Sequence, residues 1–292
     1  MAVRQDKTAP LPQKARKLSG RHRAPYTFLK IISFVCAGIA VAALIGIIVF
    51  ILIRGVPHLS LDFIFGENTA AHPTLVPGLI GTAYLVMIGA GVAIPIGILT
   101  AIYLSEYAGK GKVVRIIRLA IETLAAIPSI VYGLFGYIVF VLLFGWGYTL
   151  LGGGLTVSIM ILPTIIRSVE ESLLSVPSIY REGSHALGAS KVRTIFSVVL
   201  PNAAGGIVTA VILAIGRIIS ESAVFILTIG MLQNGIPRSP TDPGTSLALN
   251  VYYFASDWPE LSAATAVVLL VLVVGLNLLA TGVGKLIKRD RQ

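Results

Sequence analysis

Two charged residues, Arg217 and Glu221, interrupt an otherwise apolar segment that runs from residue 203 to residue 232. They are four positions apart, so a continuous helix would place both on one face. An arginine at the centre of a bilayer costs about 3 kcal/mol, and such a residue therefore faces protein or a water-filled path. Two interpretations follow: an ion pair that ties helices together, or a contact on a path for a polar substrate.

Other charged residues stand at the ends of apolar runs. Arg167 closes one run, where it is either a second substrate contact or a positive charge that anchors the end of a span. Glu122 opens another run and can pair with Arg118 one turn earlier, which is a structural role. No metal site is predicted, because the scattered histidines have no partner at metal-ligand spacing; they are His22, His58 and His72.

Motifs for catalysis are missing from the chain. The segment Gly109-Lys110-Gly111-Lys112 is not a phosphate-binding P-loop, because Glu106 stands where the first glycine of such a loop would be. Neither a Gly-x-Ser-x-Gly nucleophile motif nor a His-Glu-x-x-His zinc motif occurs. The sequence therefore predicts no catalytic residues and no cofactor bound by this chain.

The composition indicates which elements must position these charges. Of the 292 residues, 55% are hydrophobic and only 12% are charged, whereas soluble domains carry about 25% charged residues. The fold class predicted is therefore an all-α integral membrane protein, since uncharged runs of about 20 residues span a bilayer as helices. Six spans are expected, at residues 31–53, 75–103, 123–144, 150–166, 203–232 and 261–284, which together form a transmembrane domain over 31–284.

The segments between these spans are also predicted. The glycines between Gly145 and Gly154 are typical of a turn between the third and fourth spans. Residues 233–260 are rich in proline, glycine and aspartate, and they predict an exposed loop.

Basic residues indicate how the spans are oriented. Of the 23 Lys and Arg residues, 20 lie in residues 1–30, 110–118, 167–193 and 285–292, two lie on the opposite side, and one is Arg217. The positive-inside rule therefore places both termini in the cytoplasm, with basic tails at 1–30, expected to be poorly ordered, and at 285–292. This placement accounts for the net charge of +10 without a nucleic-acid partner, and it favours attraction to the lipid bilayer.

One cytoplasmic segment, residues 177–193, predicts a compact projection. Pro177 and Ser178 are suited to begin a helix, and Gly188 is suited to follow its end. Ser190 can cap a second helix, which Pro201 is expected to limit.

The spacing in this segment resembles the EAA motif of ABC importer permeases. Glu182 is followed by Gly188 after six residues and by Leu200 and Pro201 at the end of the motif. In that family the segment is a coupling helix that docks on a separate ATPase. The resemblance implies the six-span fold of type I ABC importer permeases, and it implies that an ATPase contacts Tyr180, Arg181, Glu182, His185, Leu187, Gly188 and Ala189.

Three further segments resemble the permeases of Pst-type phosphate importers, and they favour the PstA-type branch over the homologous PstC-type branch. These segments are Glu122–Gly133, Leu162–Leu173 and Gly216–Ala223. The resemblance implies that Arg217, Glu221 and Arg167 lie on the substrate path. It implies structural roles for Glu122, Pro128 and Pro201.

The pairing of Arg217 with Glu221 suits hydrogen phosphate. The planar guanidinium can donate two parallel hydrogen bonds to two phosphate oxygens. Glu221 would hold the arginine in place and accept a hydrogen bond from the P–OH group, which sulfate lacks near neutral pH.

The resemblance also implies the assembly and its location. In a bacterial cytoplasmic (inner) membrane, the chain would import inorganic phosphate by alternating access with a homologous PstC-like permease, two copies of a PstB-like ATPase that bind ATP and Mg, and an extracytoplasmic PstS-like phosphate-binding protein. Three alternatives stay open: an ABC permease for another oxyanion such as sulfate or molybdate, an ion-coupled secondary transporter, and a membrane scaffold or sensor without transport.

Overall fold

The structure is a computed structural model that describes residues 23–69, 72–109, 111–230 and 235–289. These residues form helices and turns without a strand. The α-helices are α1 (Arg23–Gly55), α2 (Leu61–Phe65), α3 (Val76–Ile102), α4 (Lys112–Ala125), α5 (Ser129–Gly136), α6 (Leu150–Leu174), α7 (Ser178–Ala186), α8 (Lys191–Thr194), α9 (Leu200–Ser220), α10 (Ala223–Thr228), α11 (Leu247–Asp257) and α12 (Pro259–Arg289).

The chain divides into two compact units. Residues up to Phe50, which contain most of α1, form the first unit, and residues from Ile51 onward form the second. Of the predicted tails, residues 1–22 and 290–292 lie outside the described residues. Residues 23–30 already belong to α1, and residues 285–289 belong to α12.

Five helical stretches in the described part of the chain are long and apolar enough to cross a bilayer. They are Phe28–His58, Val76–Tyr107, Leu150–Leu174, Lys191–Ser220 and Pro259–Gly284. A bent pair, Lys112–Ala125 with Ser129–Leu143, accounts for a sixth crossing if it is counted as one span.

The third predicted span, residues 123–144, differs from the prediction. α4 ends at Ala125, and the helix that starts at Ser129 runs at 96° to it. Pro128 stands directly before Ser129 with extended backbone (φ −58°, ψ 139°). The break follows from proline chemistry, because proline disfavours the α conformation of the preceding residue and has no N–H for the helix. The second helix is continued by a π-helical stretch at Tyr137–Leu143, so the sixth crossing, counted as one span, is sharply bent.

The fifth predicted span and the role of Pro201 also need correction. α9 ends at Ser220, so the predicted span 203–232 is interrupted at residues 221–222 before α10 begins.

Pro201 does not limit the second cytoplasmic helix, because the chain is helical without interruption from Lys191 to Ser220. Pro201 follows Leu200 and the π-helical residues Ile195–Val199, so the helix passes through the proline without the N–H bond that this residue cannot donate.

The core is built around α6, which packs closely on α3. Val157, Ile161 and Ile165 of α6 are fully buried. A Cβ atom at Gly89 would lie 2.9 Å from Val157, and one at Gly97 would lie 2.6 Å from Ile165. Glycines on one helix thus let the two backbones approach closely, which is how helices pack strongly without a hydrophobic driving force from lipid.

The connections are partly as predicted. Gly145 and Gly147 adopt positive φ angles of 68° and 69°, so the turn between the third and fourth spans lies there, and only glycine adopts this conformation readily. Gly152 and its neighbours, by contrast, lie inside α6. The segment predicted as an exposed loop, residues 233–260, contains α11, whose residues Leu247 and Leu249 are fully buried.

Candidate functional site

Arg217 lies in the last turn of α9, and its depth follows from the helices packed beside it. Its neighbour Ile218 and Val157 of α6 both lie close to Gly89 of α3. Near the other end of α9, Gly206 packs on Ser172, close to the end of α6. The two helices are therefore antiparallel, and Arg217 is level with the interior of α6 instead of with either of its ends.

The Arg217 side chain is exposed on the surface of the chain. It shares an exposed strip of α9 with Leu213 and Ser220, whereas Ala214 and Ile218 on other faces are buried. Because a charge at this depth is costly in hydrocarbon, this strip must face water or another polypeptide.

The sequence predicts Glu221 on the same helix face as Arg217, but the structure places Glu221 outside that helix. It has extended backbone (φ −78°, ψ 131°) just after the last residue of α9. Its Oε1 accepts hydrogen bonds from the backbone N–H groups of Ala223 (3.0 Å) and Val224 (3.4 Å). No ion pair joins it to Arg217 among the described residues. The carboxylate caps α10, since the first N–H groups of a helix need acceptors and favour negative charge.

Tyr132 is a neighbour of Arg217 that sequence reasoning missed. It is 6% exposed, it lies within electrostatic range of Arg217, and its hydroxyl donates to the carbonyl of Leu124 at 2.8 Å. A Cβ at the adjacent Gly133 would lie 3.1 Å from the backbone of Val224. The two interrupted spans thus meet near Arg217, where Gly133 of α5 packs on the start of α10.

Arg167 does not lie beside Arg217 but in a separate groove of charged residues. It lines a groove of about 220 Å³ with Arg118, Glu122, Glu170 and Glu171 among others. Its Nε donates to Glu171 Oε1 at 3.0 Å. The predicted pairing of Glu122 with Arg118 is wrong: Arg118 Nη2 lies 2.7 Å from Glu170 Oε1 of α6. A pair within one helix contributes only about 0.2–0.5 kcal/mol, so a less exposed partner on another helix displaces it readily.

The predicted coupling segment forms a projection of two short helices. α7 and α8 are joined through Gly188, whose φ is 82°, and Ser190 caps α8 by accepting from the N–H of Arg193 at 3.3 Å. Ser184 and Thr194 share a hydrogen bond of 2.9 Å that ties the two helices together.

The outer surface of this projection carries most of the residues predicted to contact an ATPase. Exposed residues are Tyr180, Glu182, His185, Leu187 and Gly188, while Ala189 is half-buried. Leu187 is 90% exposed, and Ile179 and Tyr180 of α7 are 68% and 51% exposed; a group of exposed apolar side chains is typical of an interaction site.

Arg181 faces the opposite way. Its Nη2 lies 2.7 Å from Glu106 Oε1, and its Nε also donates to Glu106. Two further bonds reach the end of α6, from Nη1 to the carbonyl of Val176 (2.7 Å) and from Nη2 to that of Leu173 (2.9 Å). We call this set of contacts the Arg181 clamp. It corrects the prediction that Arg181 contacts an ATPase, because the guanidinium fastens α7 to α6 and to Glu106 in the π-helical turn that follows α3.

Several of these partners lie outside the residues that the sequence pointed to. Glu106 and Arg181 are 75 positions apart, and Lys191 Nζ stands 4.8 Å from the ring centroid of Tyr107. The sequence feature that could have pointed to Glu106 is its position as a single carboxylate at the end of an apolar run. In the described part of the chain, no group of three His, Cys, Asp or Glu residues is arranged to hold a metal.

Comparisons of sequence identify relatives along most of the chain. Residues 93–291 match the family described as "Binding-protein-dependent transport system inner membrane component". The chain is 34% identical over 271 residues to the probable ABC transporter permease protein YqgI of Bacillus subtilis, covering 86% of this chain and 92% of that protein. It is 30% identical over 258 residues to the phosphate transport system permease protein PstA of Haemophilus influenzae, covering 85% and 89%.

Comparisons of structure give the same architecture. A chain of a bacterial alginate ABC transporter, solved with an alginate-bound periplasmic protein, aligns with a TM-score of 0.61 at 15% identity, covering 91% of this chain and 96% of that one. A chain of the inward-facing MetNI methionine ABC transporter aligns with a TM-score of 0.59 at 19% identity, covering 72% and 94%. At these identities the likeness concerns the fold alone.

Proposed function

Because the chain belongs to the family of binding-protein-dependent transport system inner membrane components, we propose that it is a PstA-type permease of an ATP-driven importer of inorganic phosphate in the inner membrane. The predicted all-α fold of type I ABC importer permeases is confirmed. The chain is a multi-pass membrane transport component and not an enzyme. Relatives named as phosphate permeases, at 30% to 35% identity, support phosphate as the cargo.

The observation that carries this proposal is the exposed guanidinium of Arg217 inside the span. Its fork of N–H donors can bind two oxygens of one phosphate at once. Glu221 stands at the adjacent helix break, where it can accept a hydrogen bond from a P–OH group. Alternating access then requires that the two states of the path differ in their contacts with phosphate, since a ligand shifts an equilibrium only through such differences.

The proposed partners complete the path and supply the energy. A homologous PstC-like permease would cover the exposed strip of Arg217, and an extracytoplasmic PstS-like protein would deliver phosphate. Two PstB-like ATPases would bind ATP and Mg and dock on Tyr180, Glu182, His185 and Leu187 of the projection. The exposed Leu187 and the clamp behind it support this role, because a docking element that moves with its helices needs a rigid attachment.

The assembly is tested by purification of the tagged chain from its native membrane in mild detergent. We expect a second permease and an ATPase to co-purify, and we expect phosphate-loaded binding protein to stimulate ATP hydrolysis by the reconstituted complex. Recovery of the chain alone, with phosphate uptake driven by an ion gradient, would instead indicate a secondary transporter.

The role of Arg217 is tested by uptake of radioactive phosphate into proteoliposomes. Arg217→Gln should abolish uptake while leaving assembly intact, and Arg217→Lys should retain a small fraction of it because an ammonium cannot form the two parallel bonds. Lys288→Gln, which removes one positive charge near the end of the chain, is the control and should transport normally. Normal uptake by Arg217→Gln would refute the proposal, and a preference of the native complex for sulfate would assign it to another oxyanion.

A further inference from the structure

Helix α4 carries an apolar face that no part of the described chain covers. Val113 and Ile116 are 69% and 65% exposed, and Leu119 beside them is 62% exposed. A second face of the helix is already occupied, since Val114, Ile117 and Ile121 pack against the main core. Three large exposed apolar side chains on one short helix are more than a wetted surface normally carries.

The orientation of α4 shows which environment this face meets. The helix from Ser129 to Leu143 carries no charged residue, and α4 runs at 96° to it. With that helix directed across the bilayer, α4 lies nearly in the membrane plane. Its depth follows from Arg118, which contacts Glu170 within the last turns of α6. α4 therefore lies level with the end of the bundle, where water and hydrocarbon meet.

The charged residues of α4 complete the pattern. Arg115, Arg118 and Glu122 follow one another at spacings of three and four residues, so they form a single stripe. Val113, Ile116 and Ala120 follow the same spacing on the opposite side of the helix. Segments that lie in the membrane interface typically form helices with an apolar face and a charged face opposite to it. Basic residues commonly flank the apolar face in such helices.

We propose that α4 is a membrane-surface helix that binds anionic phospholipids. Val113 and Ile116 insert among the acyl chains, and the exposed side chains of Lys112 and Arg115, with Leu119 between them, lie at the headgroups and bind their phosphates. Because Arg118 is salt-bridged to Glu170 and α4 leads directly into the break beside Arg217, the lipid contact holds in place the helix pair next to the proposed path. Anionic lipid therefore stabilises the site from outside the bundle.

The test uses the assembled complex in nonionic detergent with one reporter cysteine. Cys36 is the sole cysteine of the chain, so Cys36→Ser with Ile116→Cys allows a bimane label to be placed on α4. Quenching is then measured as brominated phosphatidylglycerol or brominated phosphatidylcholine is added. Arg193→Cys, at an exposed position of α8, is the matched control. Each labelled complex must keep its ATP hydrolysis to be used.

We expect both brominated lipids to quench the label at position 116, with phosphatidylglycerol acting at the lower concentration. A basic residue near an anionic surface is worth about 1 kcal/mol, so Lys112→Gln and Arg115→Gln should each raise the half-maximal concentration of phosphatidylglycerol about 5-fold and leave that of phosphatidylcholine unchanged. The label at position 193 should be quenched by iodide and by neither lipid.

Two results would overturn the proposal. Absence of quenching by lipid and by iodide at position 116 would mean that a second permease covers the apolar face. Equal quenching by the two lipids, unchanged in Lys112→Gln and Arg115→Gln, would mean that α4 touches the bilayer without recognising anionic headgroups.

Discussion

The Arg181 clamp predicts that Glu106→Gln destabilises the chain although it keeps the shape of the side chain. The carboxylate of Glu106 accepts from both Nε and Nη2 of Arg181, and its side chain is 8% exposed against 21% for the arginine. Glutamine offers one oxygen and turns an NH₂ group toward other N–H donors.

The magnitude follows from the contacts that remain. Removing one partner of a fully buried ion pair costs about 3–5 kcal/mol. Arg181 keeps the carbonyls of Leu173 and Val176 as acceptors and about a fifth of its surface in water, so we expect a smaller loss, ~2 kcal/mol. At about 2 cal/mol/K per residue, that corresponds to a fall of about 3 °C in the thermal midpoint of a chain of this length. Looser attachment of α7 should also lower the amount of phosphate imported per ATP hydrolysed.

The assay is thermal unfolding of the purified chain in detergent, followed by uptake and ATP hydrolysis in proteoliposomes. The matched control is Glu171→Gln, which removes a carboxylate from the exposed pair with Arg167 and should leave the midpoint unchanged, because exposed pairs contribute little. A midpoint for Glu106→Gln within about 1 °C of the native value (~0.5 kcal/mol), together with a large drop for Arg181→Ala, would refute the reasoning. It would show that the two carbonyls alone hold the arginine.

Three further predictions concern particular residues. Gly81→Ala should destabilise the chain by about 1–3 kcal/mol in detergent unfolding, because the new Cβ would collide with the carbonyl oxygen of Thr245; Gly91→Ala on the same helix, with open space around it, should be neutral or slightly stabilising. Glu221→Gln should keep the thermal midpoint, since its amide oxygen can still cap α10, but it should weaken the preference for phosphate over sulfate in uptake competition; an unchanged preference would remove Glu221 from substrate selection. Gly188→Ala should cost about 1–2 kcal/mol because of the positive φ of 82°, and a matching loss of ATPase binding in pull-down would link this turn to docking.

Local patterns in the sequence predicted those features that depend only on neighbouring residues. Uncharged runs predicted the apolar helices because the length of a helix and the thickness of a bilayer are fixed quantities. Gly188 and Ser190 predicted the end of the first helix of the projection and the start of the second, because capping needs only a left-handed residue or a side chain at one position. The spacing of Glu182 and Gly188 pointed to the importer permeases, and the matched family confirms that assignment.

The contacts that define the site were decided by the tertiary structure. The sequence placed Arg217 and Glu221 on one helix, but α9 ends between them and Glu221 caps α10 instead. Arg181 was expected at the surface, yet it is drawn to a carboxylate 75 positions away. In each case a charged group inside or beside the membrane takes the partner that satisfies most of its hydrogen bonds, and sequence spacing does not reveal which helices will supply that partner.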